Sequence, residues 1–254
     1  MKTAIIGYTG FVGGYLDSHE KFSDRFNSKN IQEIRGDNYE CIICAGAPGA
    51  KWFANKFPEQ DEENINRLIA NLEGVKTKKF VLISTVDVYP NPTQVDESSM
   101  IESDKLTTYS ANRRRLEQFI ESNFSDSTII RLPGLFGRGL KKNLLFDLIT
   151  QTNLDKLPIS GQFQFYDLAD LPRDINLILK QGIDLINLVT EPLTVQEIYQ
   201  EVFQVKGIGN PEVPSPNYDV RTKNAGLFNG KDYILGKEEV KQKLKSFLQN
   251  EILK

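Results

Sequence analysis

The sequence predicts an α/β protein: a doubly wound, mostly parallel sheet with a small C-terminal lobe. Three observations lead there. Apolar runs of strand length alternate with stretches of helical periodicity, the pattern of strands buried on both faces. The first apolar run, Ala4-Ile5-Ile6, breaks into glycines at 7, 10 and 13. A chain of 254 residues that is 39% hydrophobic and 26% charged is long enough for one large domain with an appended lobe.

Taken in order, Lys2 to Gly7 reads as the first strand, and the first helix starts at Gly10. Short strands are expected near Phe22 to Phe26 and Ile31 to Ile34, followed by Tyr39 to Ala45. A helix from Glu59 to Leu72 follows, with Ile65, Leu68, Ile69 and Leu72 on one apolar stripe. Then come a strand from Lys79 to Ser84, a helix from Lys105 to Ser122 and a strand from Ser127 to Leu132. Helices over Lys142 to Thr150 and Leu168 to Lys180, a strand over Asp184 to Leu188, and helices over Gln196 to Phe203 and Lys237 to Leu248 complete the set. Between the last two, Val205 to Asp232 carries Gly207, Gly209, Pro211, Pro214 and Pro216 and reads as irregular structure, a candidate wall for a substrate pocket.

The glycine turn is the first chemical signal. In Gly7-Tyr8-Thr9-Gly10-Phe11-Val12-Gly13 one glycine permits a tight turn, one lets backbone N–H groups approach a pyrophosphate, and one lets the helix lie close on the sheet. A dinucleotide is the first ligand to consider, although three glycines alone also fit a packed loop.

A net charge of −3 gives no reason to expect nucleic acid or an anionic membrane as partner. No apolar run approaches ~20 residues, so neither a membrane span nor a signal peptide is expected, and the expected location is the cytoplasm. Cys41 and Cys44 form a C-x-x-C, but residues three apart on a strand face opposite ways, which favours buried strand cysteines over a redox or zinc pair. His19 is the only histidine, and no cluster has metal-ligand spacing, so no metal is expected.

Two further patterns sit where such a sheet would place chemistry. The strand Phe80 to Ile83 runs into Ser84-Thr85-Val86-Asp87-Val88-Tyr89, and one helix later comes Tyr109-Ser110-Ala111-Asn112-Arg113. A hydroxyl at a strand's carboxyl end, with a tyrosine and a cation one helical turn apart, suggests carbonyl/alcohol redox chemistry.

On these motifs the chain resembles the extended short-chain dehydrogenases/reductases, which include nucleotide-sugar epimerases, dehydratases and reductases. The likeness covers about the first 180 residues. It implies an NAD(P)-binding Rossmann fold spanning 1–254 as a single domain, with a cofactor core mainly in 1–180 and a substrate-facing lobe mainly in 181–254 plus the 134–160 loop. It assigns Thr85, Tyr109 and Arg113 to catalysis. Cofactor contacts fall on Gly7, Thr9, Gly10, Phe11, Val12, Gly13, Ala45, Gly46, Ala47, Asn64, Ser84, Tyr109, Arg113, Pro133 and Leu135. One departure is Arg113, where the family carries lysine four residues after the tyrosine: a guanidinium keeps the charge but cannot relay protons. Tyr109, its ordinary pKa of about 10 lowered by Arg113 and the nicotinamide charge, would be the general acid/base. Thr85 would hold the substrate oxygen.

NAD sites usually carry an acidic residue at the end of the second strand. Here Asn27, Ser28 and Lys29 offer donors instead, with Asp24 falling early, which favours NADP over NAD. The resemblance implies a nucleotide-linked sugar as small-molecule substrate; Arg138, Lys142 and Arg221, with Lys141 and Lys223 as further cations, are the candidates to meet its diphosphate and Asp87 a further contact, while the short C-terminal portion fits a small or truncated pocket equally well. Glu97 is the carboxylate that would reach the cleft in a dehydratase. Reduction, epimerisation and dehydration stay open. The family's long helices, here 59–72 and 105–122, imply a homodimer. The competing expectation is a dinucleotide-binding sensor that has lost catalysis, the reading that Arg113 favours.

Overall fold

The computed structural model describes residues 2–252. Its strands are β1 Thr3–Ile6, β2 Asp24–Phe26, β3 Asn38–Cys44, β4 Lys76–Thr85, β5 Thr93–Val95, β6 Ser127–Leu132, β7 Gly134–Phe136, β8 Gln162–Phe163, β9 Phe165–Asp167, β10 Leu185–Asn187, β11 Leu193–Thr194 and β12 Asp219–Val220. The helices are α1 Phe11–His19, α2 Lys51–Lys56, α3 Pro58–Leu72, α4 Thr108–Asn123, α5 Leu144–Thr150, α6 Leu171–Lys180, α7 Val195–Glu197 and α8 Lys237–Ile252. The chain divides into two compact units.

The first unit holds residues 1–90, 100–131 and 170–186. Six parallel strands form the sheet in the order β10-β6-β4-β3-β1-β2. The strand order reverses at β1, which pairs with β2 on one side and β3 on the other, and ligands of such sheets bind beyond the carboxyl ends at that point. Helix α3 packs on α4 and α1 on α6. Ile6, Ile42, Cys44, Phe80 and Leu82 from the sheet meet Ile65, Leu68 and Leu72 of α3 and Leu116 and Ile120 of α4 in one buried cluster. This burial of apolar surface is the main stabilising term of the unit.

One expected strand is a helical turn. Ile31–Ile34 is 3₁₀, because Ile31 and Ile34 are both buried and only a helical turn puts residues three apart on one side. Asn30 opens it by accepting the Glu33 N–H on its carbonyl. The sheet therefore ends at β2, and residues 27–37 cross to β3 without a regular α-helix between them.

The second unit holds residues 91–99, 132–169 and 187–254. It is built from three two-stranded pairings: β7 with β9 and β5 with β12, both parallel, and β8 with β11, antiparallel. Phe136, Leu145, Phe165, Leu193, Ile198, Val240 and Leu244 form its core. The buried Gln164 amide ties the pieces together, donating to the carbonyls of Thr190 and Val220 and accepting the Val220 N–H. Helix α7 runs into a π-helical turn over Ile198–Val202. Within the irregular stretch 205–232 the structure adds β12 and a 3₁₀ turn at Ala225–Phe228. Among the described residues no helix is long and apolar enough to cross a membrane.

Candidate functional site

The glycine turn links β1 to α1. The Gly7 N–H donates to the Phe26 carbonyl at 2.7 Å, and the Gly10 N–H donates to the Gly7 carbonyl at 2.9 Å. Gly7 has φ +89°, and a Cβ there would overlap the Ala45 backbone. A Cβ on Gly13 would run into the Gly7 carbonyl, whereas on Gly10 it would meet only that oxygen, at 3.3 Å. Thr9 and Gly10 are exposed, and no side chain caps the start of α1. Phe11 and Val12 are half-buried in its first turn. The helix thus presents free N–H groups and the positive end of its dipole, an anion site of the kind a diphosphate fits. Ala45, Gly46 and Ala47 leave β3 across from the turn, and the Ala45 N–H donates to the Ile6 carbonyl at 2.9 Å. These small residues and the uncapped helix fit a dinucleotide.

The turn after β2 is braced by its own side chains. Asn27 Oδ1 accepts the Lys29 N–H at 2.8 Å, Asn30 Oδ1 accepts the Asn27 N–H at 2.8 Å, and Arg67 of α3 donates to the Ser28 carbonyl. Asp24 is engaged elsewhere, paired with Lys2 at 2.9 Å and accepting the Tyr39 hydroxyl at 2.8 Å. Asn64 is exposed on α3.

Thr85 closes β4, and its Oγ1 accepts the Asp87 N–H at 3.1 Å. Tyr109 lies in the first turn of α4, whose start is capped by the Thr107 hydroxyl. The two predicted catalytic side chains come near each other: the Thr85 hydroxyl is close enough to act on the Tyr109 phenol. Burial pushes the Tyr109 phenol above its ordinary value, Arg113 pulls it down, Asp87 and Asp61 push it up, and the nearby Thr85 hydroxyl lowers it. The net direction is upward: Arg113 lowers the phenol as expected, and burial outweighs it.

Arg113 is 3% exposed and its partner Asp61 1%. The guanidinium donates to the Asp61 carboxylate and to the Pro48 carbonyl, and Asn112 Nδ2 donates to the same Asp61 oxygen at 2.8 Å. Among the described residues its buried Nε has no hydrogen-bond partner. Ser84 turns inward as well, donating to Glu117 Oε1 at 2.6 Å, and Glu117 takes Arg131 at 2.7 Å. Asp87 pairs with Lys51 of α2 at 2.7 Å, and Asn55 of the same helix accepts the Tyr109 N–H at 3.4 Å.

Asp61 and Lys51 were missed by sequence reasoning. Asp61 was detectable: with Ile65, Leu68 and Leu72 it lies on the buried stripe of α3, and a carboxylate there demands a buried cation. Lys51 sits on a six-residue helix that left no periodic signal.

The remaining candidates belong to the second unit. Pro133 and Leu135 flank the start of β7, Arg138 and Lys142 lie in the loop before α5, and Arg221 follows β12. Arg221 is tied to Asp219 at 3.3 Å. Glu97 is engaged within its own unit: it accepts the Asn187 N–H at 2.7 Å, the Thr222 hydroxyl at 2.6 Å and the Lys223 N–H at 2.9 Å. Burial pushes both the Cys41 and Cys44 thiols up to about 11, so neither is a ready thiolate.

No family model matches the chain, and no curated protein matches it in sequence. Solved structures do match its fold over nearly the full length. The UDP-glucose 4-epimerase of Thermotoga maritima, solved with UDP-glucose, aligns at TM-score 0.74 and 13% identity over 100% of both chains. The dTDP-4-dehydrorhamnose reductase of Bacillus anthracis, in complex with NADP, aligns at TM-score 0.74 and 18% identity, covering 98% of this chain and 99% of that one. The UDP-N-acetylglucosamine 4-epimerase of Methanobrevibacter ruminantium aligns at TM-score 0.72 and 14% identity, covering 99% of this chain and 98% of that one. The chain has the fold of these enzymes.

Proposed function

We propose that this protein is an NADP-dependent oxidoreductase or epimerase that acts on a carbonyl or alcohol carbon of a nucleotide-linked sugar. The observation that carries the reading is the placing of Thr85 at the carboxyl end of β4 beside Tyr109, whose ring Arg113 covers, in the same unit as a glycine turn shaped for a diphosphate. The shared fold with nucleotide-sugar epimerases and a reductase supports it.

A bound nicotinamide dinucleotide supplies the hydride donor or acceptor. Gly7 to Gly13 and the N-terminus of α1 would hold its diphosphate, with Ala45 to Ala47 and Asn27 to Lys29 as further contacts; the resemblance adds Asn64, Ser84, Pro133 and Leu135. Thr85 donates to the substrate oxygen and fixes its position. Tyr109 gives a proton to that oxygen when a carbonyl is reduced and takes one when an alcohol is oxidised. The protonated phenol that burial favours is the form that serves reduction. Arg113 stands against the ring as a fixed cation, held by Asp61, and Lys51 neutralises the Asp87 carboxylate that would oppose a phenolate. Asp87, Arg138, Lys142 and Arg221 remain the substrate contacts of this reading, and a homodimer through α3 and α4 belongs to it.

Fluorescence titration with NADPH tests the binding half. NADPH oxidation with a panel of nucleotide-linked ketosugars, and isomer analysis of nucleotide-linked hexoses, test the chemistry. Tyr109→Phe should bind NADPH like the parent and lose most turnover; undiminished turnover in that variant overturns the assignment. A second reading, a dinucleotide sensor, is favoured by the engagement of Arg113 with Asp61 and Pro48, and NADPH binding without turnover across the panel would support it.

A further inference from the structure

We infer that Arg67 reads the 2′-phosphate of the cofactor's adenosine, in a phosphomonoester site that it forms with Ser28 and Lys29. The inference rests on the dinucleotide reading above and adds a residue from α3 that the glycine motif does not point to.

The position follows from the backbone. Phe26 ends β2 and its carbonyl accepts the Gly7 N–H at 2.7 Å, so the turn 27–30 begins directly beside the phosphate turn. In sheets of this type the adenosine ribose of a dinucleotide lies at the end of that strand. The turn is preformed: Asn27 and Asn30 bond backbone groups within it, and Asn30 Nδ2 donates to the Arg25 carbonyl at 3.0 Å.

Arg67 reaches the turn from α3. Residues 27–37 contain only a 3₁₀ turn where a crossover helix would otherwise stand, and α3 packs directly against that turn. One N–H group of the Arg67 guanidinium donates to the Ser28 carbonyl, which fixes the planar fork at the turn, while the residue as a whole stays exposed. A guanidinium has five donors, and its geometry matches a phosphate.

The charges around the turn choose the ligand. An unphosphorylated ribose diol is held by a carboxylate acceptor. Residues 25–32 contain none. Asp24 is taken by Lys2 and Tyr39, and Asp17 by Arg25 at 2.7 Å. Glu33 lies on the 3₁₀ turn, and Glu63 lies one helical turn before Arg67. Arg67 and Lys29 are the cations at the turn itself, and a phosphomonoester of charge near −2 is the group that two cations and a hydroxyl suit.

The test is binding, not turnover. NADPH and NADH are titrated into the parent chain, Arg67→Gln, Arg67→Lys and Lys29→Gln, with 2′,5′-ADP and 5′-ADP as competitors. Circular dichroism is run on each variant. The parent should prefer NADPH and 2′,5′-ADP; Arg67→Gln should lose roughly tenfold or more in NADPH affinity with NADH unchanged. Arg67→Lys should keep part of the preference, and Lys29→Gln should lose less than Arg67→Gln. Equal loss for NADPH and NADH, or an unchanged preference in a folded Arg67→Gln, overturns the assignment alone. If neither dinucleotide binds the parent, the reading of the glycine turn fails and this inference with it.

Discussion

The guanidinium carbon of Arg113 lies 4.1 Å from the centre of the Tyr109 ring while its nitrogens bond the Asp61 carboxylate and the Pro48 carbonyl. One side chain thus joins α4, α3 and the segment after β3 around the candidate acid/base. Removing it strands a carboxylate that is 1% exposed. Arg113→Met should lower the unfolding free energy by roughly 3–5 kcal/mol, the cost of breaking a buried ion pair from one side. Adding Asp61→Asn should restore part of the loss, because an amide carries no charge to strand. Urea denaturation of the parent, both single variants and the double variant measures the coupling.

The glycines should separate folding from binding. Gly13→Ala forces a methyl into the Gly7 carbonyl, so α1 cannot seat on β1, and a marked drop in the urea midpoint is expected. Gly10→Ala meets that same oxygen only at 3.3 Å, so it should fold, yet its methyl stands at the exposed mouth of the anion site. It should weaken dinucleotide binding with little change in stability, as fluorescence titration alongside denaturation would show.

Lys51 should act on Tyr109 through Asp87. Lys51→Met leaves the Asp87 carboxylate without its ion pair, and a nearby anion favours the neutral phenol, so the Tyr109 titration should move to higher pH. Asp87→Asn in the same chain should bring it back below the single variant. Carbon NMR of ring-labelled tyrosine, assigned by Tyr109→Phe, reads this without any turnover.

Glu197 gives the second unit an acid limb. Burial pushes its carboxyl up, but the Thr194 N–H and hydroxyl and the Lys237 ammonium outweigh it and hold the value at about 2, against 4.5 in the absence of these partners. A depressed carboxylate stabilises the fold fully above 4.5, and that stability is lost as pH falls towards 2. Glu197→Gln should flatten the dependence of unfolding on pH across that window, as denaturation midpoints between pH 5 and 3 would reveal.

Sequence patterning exposed the sheet of the first unit because strands such as β3 and β6 are buried and read as apolar runs, and α3 and α4 carry stripes long enough to recognise. Ile31–Ile34 misled because two isoleucines three apart fit a strand by composition and a helical turn only by burial. In the second unit β8, β11 and β12 are two residues long, too short for any period to show. The Thr85–Tyr109 pair followed from motif order, whereas the fate of Arg113 depended on Asp61, 52 positions away in sequence, and on a backbone carbonyl that no side-chain pattern encodes.

The ending of the sheet at β2 also bears on how these molecules behave in a crowd. The sheet now ends in three-residue strands on both sides, Asp24–Phe26 and Leu185–Asn187. An open strand edge is a template on which another chain can add itself, and its danger grows with its length. At β2 the template is short and carries Asp24 and Arg25, each already bound in an ion pair. An edge this short, with its charges already paired, is a poor template for edge-to-edge self-association.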